Sequence, residues 1–161
     1  MADTIIRAAV LTVSDSRTPG DDTSGNTLVE LLASASAEIV ERSIVTDDLQ
    51  HIRDSIFALC EREEINLILT TGGTGFGPRD NTPEATRAVI EREAAGIAEA
   101  MRRETAVKTP MAMLSRGVCG IRGGTLIINL PGSPKAVKEC FEVIGPVLQH
   151  AVNLINGKTA H

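Results

Sequence analysis

Three short runs constrain the fold of this chain more than any other feature: "IIRAAVLTVS" at 5–14, "INLILTT" at 65–71 and "TLIINL" at 125–130. Each is β-branched, nearly all apolar and brief. Strands of this pattern are covered on both faces, as in a parallel sheet sandwiched between helices. "EIVERSIV" at 38–45 reads as a further strand. Between the strands the apolar period lengthens. Leu28, Leu31, Leu32 and Ala35 fall at helical spacing, and Leu49, Ile52, Ile56, Leu59 and Cys60 make one stripe. Val137, Cys140, Phe141, Ile144, Leu148, Ala151, Val152 and Ile155 make the longest stripe, and Pro146 within it predicts a kink or a split. Thr82 as cap, Pro83 at the first helical position and Glu84 in the first turn predict a helix running to about Glu93. A second helical piece follows over 96–105, and glycine-punctuated residues 111–124 predict strand or turn structure. Strands alternating with helices predict an α/β fold, a three-layer α/β/α sandwich with a mainly parallel central sheet, in one domain over residues 1–161.

Composition narrows the function classes. Hydrophobic residues make up 42% of the 161, enough for a core without disulfides, and aromatic residues only 2%, so that core is aliphatic. The net charge of -5 argues against nucleic acid binding through bulk electrostatics. No run approaches the roughly 18 apolar residues of a membrane span. Cys60, Cys119 and Cys140 are widely spaced and form no CxxC pair, and the first residues lack a basic leader pattern; a reducing, cytoplasmic setting is the expectation. His51 lies within a helical stripe, His150 on the polar side of the last one, and His161 is the final residue. No serine has an evident histidine partner, and no Cys/His cluster suggests zinc.

Three turn-rich loops, 14–26, 70–81 and 131–135, each follow a strand. In open α/β sheets ligands bind outside the carboxyl ends of the strands, so loops sharing one edge would form one pocket. The densest is "TTGGTGFGPRDNTPEA" at 70–85. It is not a Walker loop, because Gly77 meets Pro78 where Lys is required, and it does not complete GxGxxG. The glycines fit a tight turn or an anion nest equally well. With Thr82 placed to cap the helix, Asp80 is left without that task. A carboxylate beside a phosphate nest is repulsive unless a divalent cation lies between them, which points to a metal–nucleotide complex. Asp47 and Asp48 precede the 49–60 helix, where capping and dipole pairing account for them. "SDSR" at 14–17 and "DDTSG" at 21–25 read as solvated loop with a cap, and "LSR" at 114–116 offers a hydroxyl beside a surface guanidinium. Ser133 stands at a helix start with Lys135 in its first turn, a cation opposed to the dipole and hence a hint of a bound anion.

Taken together, "LTVSDS", "DDTSG", "TTGGTGFGPRDNTPEAT" and "AMLSRGVCGIRGGTLIINLPGSPKAVKEC" resemble, in order and spacing, the MogA/MoaB-type molybdenum cofactor biosynthesis proteins, to which the G domains of gephyrin and its plant counterpart are similar. The resemblance implies the sandwich fold, assembly as a trimer or hexamer, and adenylyl transfer from ATP to molybdopterin with Mg²⁺ and release of pyrophosphate. By position, Gly72, Gly73, Thr74 and Gly75 match the family's nucleotide-binding loop. Asp80 and Asp47 match its two functional aspartates and would be the Mg²⁺ ligands; the family's "PDE" is "TDD" here, so Asp48 is the alternative to Asp47. Ser14, Asp15, Thr23, Ser24, Gly25, Ser115, Pro131, Gly132 and Ser133 match residues lining the substrate pocket. The resemblance also implies a molybdenum insertase as partner. A non-catalytic pterin carrier or an oligomeric scaffold is the alternative on the same fold. Transfer of this kind needs no protein nucleophile, which agrees with the missing triad.

Overall fold

The structure, a computed structural model, describes residues 2–159. In chain order its elements are β1 (Arg7–Val13), α1 (Thr23–Ser34), β2 (Glu38–Val45), α2 (Leu49–Cys60), β3 (Leu67–Thr71), α3 (Thr82–Arg87), β4 (Arg92–Glu93), α4 (Ala95–Ala106), a 3-10 turn (Pro110–Leu114), β5 (Cys119–Arg122), β6 (Thr125–Leu130) and α5 (Pro134–Ile155). They form a three-layer α/β/α sandwich around one six-stranded sheet of order β2-β1-β3-β6-β5-β4. The first four of these strands are parallel to one another, and β5 and β4 join antiparallel at one edge.

Alternation along the buried strands supplies both faces of the sheet. Ala8 and Val10 of β1, Leu67 and Leu69 of β3, and Leu126 and Ile128 of β6 pack against α1, α4 and α5. Ala9, Leu11, Val13, Ile68 and Ile127 point the other way, onto Ile52, Ile56 and Leu59 of α2 and Ala85 of α3. The register aligns Val10 with Leu69 and Leu69 with Ile128, so each face is a continuous apolar band.

Two helical expectations are corrected. The helix from Thr82 ends at Arg87, not near Glu93. Val89 and Ile90 keep helical spacing but pack onto the α2–α3 face, and the Glu91 N–H donates to Ile121 O (2.9 Å), drawing the chain into edge strand β4. The last helix is continuous across Pro146. Pro146 lies on the exposed side, where water can satisfy the carbonyl one turn back, while Ile144 and Leu148 anchor the opposite side.

Because β1, β3 and β6 run parallel, their carboxyl ends share one edge, as the loop pattern predicts. Hydrogen bonds tie that edge together: Ser14 N–H to Val45 O (2.9 Å), Gly72 N–H to Leu130 O (3.2 Å) and Thr71 Oγ1 to Pro131 O (2.7 Å).

Candidate functional site

A cavity of about 700 Å³ opens at this edge. One wall is the loop after β3, through Gly73, Thr74, Gly75, Phe76 and Asp80; another is Ser115 and Gly117; a third is Pro131, Gly132 and Ser133 at the start of α5. The fourth comes from α4 and the segment after it: Ala98, Met101, Arg102, Thr105 and Lys108.

The glycine loop is shaped by its neighbours. Gly72 and Gly73 have φ of +98° and +66°, the left-handed region that favours glycine. A Cβ on Gly72 would strike the Val13 carbonyl, and one on Gly73 the Thr82 hydroxyl. Thr82 is not the helix cap: Asn81 occupies that position without a side-chain capping bond, and the buried Thr82 hydroxyl donates to Gly72 O (2.9 Å). Asp80 does not cap the helix either. Its Oδ2 accepts from Gly77 N–H (2.9 Å) inside its own loop, and its Oδ1 accepts no hydrogen bond among the described residues.

The adjacent aspartates separate. Asp48 caps α2 by accepting from His51 N–H (3.0 Å), a bond that holds its carboxyl below the usual range. Asp47 turns towards the other loops. Its Oδ2 accepts from Asp15 N–H (2.8 Å), its N–H donates to Asp15 Oδ1 (3.0 Å), and its carbonyl accepts from Asn81 Nδ2 (2.9 Å). Burial pushes the Asp47 carboxyl up, and the nearby charges of Asp15 and Asp80 add to this. Arg79 grips both Asp15 oxygens (2.9 and 3.0 Å) and holds that carboxyl low. Asn81, next to Asp80 in the chain, ties the Asp47 backbone to the same loop, and Asp48 is occupied as a cap; Asp80 lines the cavity and Asp47 does not. Among the described residues no group of three or more His, Cys, Asp or Glu converges as a metal cage. Two carboxylates suit Mg²⁺, whose remaining ligands are ordinarily phosphate oxygens and water.

The first-loop residues do not line the cavity. Ser14 Oγ accepts from Ser16 and Arg17 N–H (3.2 and 3.1 Å) and closes its own turn. Thr23, Ser24 and Gly25 form the first turn of α1 above Asp22, which is fully buried. Asp22 accepts from Gly25 N–H (3.1 Å), Thr12 Oγ1 (2.8 Å) and Arg42 Nη2 (3.2 Å). Any Cβ at Gly25 would collide with that carboxylate. Gly72 lies behind the cavity, against Gly132. Ser115, Pro131, Gly132 and Ser133 do line it, although Ser133 Oγ also caps α5 by accepting from Ala136 N–H (3.2 Å).

Arg116 is half-buried and engaged by protein partners. Its backbone N–H donates to Thr74 O (2.7 Å), Nε to Gly75 O (2.7 Å), Nη2 to Asp80 O (2.7 Å), and Nη1 pairs with Glu84. The cavity cations Arg102 and Lys108 were not legible as site residues. Their signal is that Ala98, Met101, Arg102 and Thr105 continue one face of α4 from apolar into polar side chains. Arg102 Nη1 donates to Ser115 O (3.3 Å) and Gly117 O (2.9 Å), and Lys108 pairs with Glu142 (3.1 Å). Lys135 lines the cavity and forms no ion pair among the described residues. Cys140, on the α5 side, is held protonated by burial, its thiol pushed up to about 11, and Cys119 lies in the core. His51 and His150 are exposed on helices away from the cavity; His161 lies outside the described residues.

An α/β sandwich whose strand ends carry a glycine loop, a cavity-facing carboxylate and basic side chains has the form of a ligand-binding domain of the open-sheet class. Residues 9–150 match the family model described as "Probable molybdopterin binding domain", and the chain belongs to that family of molybdenum cofactor biosynthesis proteins. It is 40% identical over 156 residues to the molybdopterin adenylyltransferase of Helicobacter pylori strain J99, covering 94% of this chain and 89% of that one. It is 49% identical over 153 residues to the molybdenum cofactor synthesis protein cinnamon of Drosophila melanogaster, covering 93% of this chain but only 26% of that much longer protein. The crystal structure of the molybdopterin biosynthesis enzyme MoaB from Thermus thermophilus superposes with a TM-score of 0.89 at 48% identity, over 96% of this chain and 98% of that one. Among the described residues no helix is long and apolar enough to cross a membrane.

Proposed function

We propose that this protein is a molybdopterin adenylyltransferase, joining ATP and molybdopterin to give adenylyl-molybdopterin and pyrophosphate. One observation carries the reading: a single cavity sets a glycine loop and Asp80 opposite Ser115, the Pro131–Ser133 turn and Lys135. That is room and charge for two anions to meet. The Gly73–Gly75 loop would receive the nucleotide phosphates, because backbone N–H groups reach an anion closely where no Cβ intervenes. The Ser115 and Pro131–Ser133 walls, with Lys135, would receive the pterin and its terminal phosphate.

Asp80 and Asp47 would hold Mg²⁺ through carboxylate oxygens. When bound there, the ion neutralises charge on the phosphates and helps the pyrophosphate leave. The chain's own residues do the rest. Gly77 N–H and Asn81 fix the two aspartates, and Arg79 neutralises Asp15, so that the site is not overloaded with negative charge. An oxygen of the pterin phosphate bonds to the α-phosphorus of ATP as the bond from that phosphorus to the β-phosphate bridging oxygen breaks. Catalysis here is alignment and charge neutralisation, with no protein nucleophile.

The same reading includes a homo-oligomer, a trimer or hexamer, and a metal-inserting partner that takes the adenylylated product. The exposed Phe76, Met111 and Met113, at 63–69% accessibility beside the cavity, offer apolar surface for such contacts. Light scattering on the purified protein reads the oligomer directly. Purified protein given Mg²⁺, ATP and molybdopterin is expected to release pyrophosphate. Tight molybdopterin binding without pyrophosphate would replace the enzyme with a carrier.

A further inference from the structure

We infer that Arg116 is a positioning residue that sets the direction in which the glycine loop presents its amide groups. The Gly75 and Asp80 carbonyls accept from the Arg116 guanidinium, and the Thr74 carbonyl from the Arg116 backbone N–H, at 2.7 Å each. The described chain has no cis peptides, and in a trans peptide the C=O and the following N–H point in opposite directions. Fixing those carbonyls towards Arg116 therefore turns the N–H groups of Gly75, Phe76 and Asn81 away from it. A loop containing Gly73, Gly75 and Gly77 has little side-chain packing of its own to fix its peptide planes. The guanidinium supplies that constraint from outside.

Arg116 is itself held. Arg102 on α4 donates to the carbonyls on either side of it, Ser115 O and Gly117 O. Glu84 on α3 anchors the other end of the guanidinium. The chain of contacts runs from α4 through the 115–117 segment to the glycine loop, and Ser115 on the opposite cavity wall is part of it. The two walls are thereby set at one spacing. Three of its five N–H groups have protein partners and Arg116 does not line the cavity, so the guanidinium serves the loop. Lysine cannot replace it: one ammonium nitrogen cannot reach three acceptors in the fork geometry of a guanidinium.

The test compares wild type, Arg116→Lys and Arg116→Ala. Amide hydrogen exchange is read at Gly77 and Asp80, whose N–H groups are bonded within the loop, without ligand, and kinetics with Mg²⁺, ATP and molybdopterin. Both variants should exchange at least about ten-fold faster at these amides, with core-strand amides unchanged. The kinetic arm alone rests on the adenylyl-transfer reading. There kcat/KM should fall about 100-fold, with KM for ATP raised, since a misplacement of about 1 Å costs that much. Millimolar guanidinium should restore part of it to Arg116→Ala but not to Arg116→Lys. A merely structural role would lower the folded fraction and leave KM alone. Should Arg116→Ala not fold, Arg116→Lys carries both arms. Unchanged loop exchange in a folded variant overturns the inference, as does unchanged KM in an active one. No pyrophosphate from wild type overturns the function and leaves the exchange arm to decide on Arg116.

Discussion

The loops after β1 and β3 look alike in sequence and behave oppositely in the structure. Both are rich in turn formers, the first in Ser, Thr and Asp and the second in Gly and Thr, and both match family motifs. The first spends its polar groups on the fold: Asp22 is buried under Thr23–Gly25 with Thr12 and Arg42, Ser14 closes a turn, and Asp15 is taken by Asp47 and Arg79. The second is braced from outside by Arg116 and Thr82, which leaves Asp80 one carboxylate oxygen without a protein partner. An acid that is consumed locally builds the fold. An acid whose neighbours are held by others is available for chemistry.

The sharpest way to break this contrast is Asp80→Asn. It should keep the fold and lower turnover by roughly 100-fold or more, the scale of one electrostatic group lost from a transition state. Unchanged turnover, measured as pyrophosphate release per folded molecule, would remove Asp80 from the mechanism. Asp22→Ala should do the reverse. Stripping the buried partner from Arg42 and the first turn of α1 should cost about 3 kcal/mol in urea unfolding, with turnover per folded molecule retained. A stability loss near zero would mean that the first loop is not built around this carboxylate.

The smallest effect belongs to Glu84. Burial opposes its charge, but the bond from Arg116 prevails and its carboxyl lies below the ordinary 4.5. A carboxyl lowered on folding contributes stability above its unfolded value, and that contribution is lost as pH falls through the folded one. Unfolding free energies of wild type and Glu84→Gln should therefore differ near neutrality and converge as the pH falls below the ordinary carboxyl range. A difference that persists or grows in acid would contradict the assigned pairing.

The sheet was legible because strands buried on both faces leave an unmistakable apolar signature, and α2 and β6 end where their stripes end. Two local rules misled. Val89 and Ile90 continue a helical period that tertiary packing interrupts, and an exposed proline is tolerated where the opposite face is anchored. In the site, the resemblance marked Ser14, Asp15 and residues 23–25 as pocket lining, whereas the structure shows them building the loop edge. Thr82 and Arg116 escaped for another reason. Their partners lie 10 to 42 residues away in the chain, and no pattern of neighbours encodes such contacts. The choice between Asp47 and Asp48 likewise required the His51 N–H to show which of them is a cap.

That choice decides which acid acts in the site. Asp47→Asn and Asp48→Ala should be compared for pyrophosphate release per folded molecule and for urea stability. Asp47→Asn is predicted to lose most turnover, about 100-fold, at little cost in stability. Asp48→Ala is predicted to lose about 1 kcal/mol of stability, the worth of a helix cap, and to keep its turnover. Turnover lost in Asp48→Ala and kept in Asp47→Asn would contradict it.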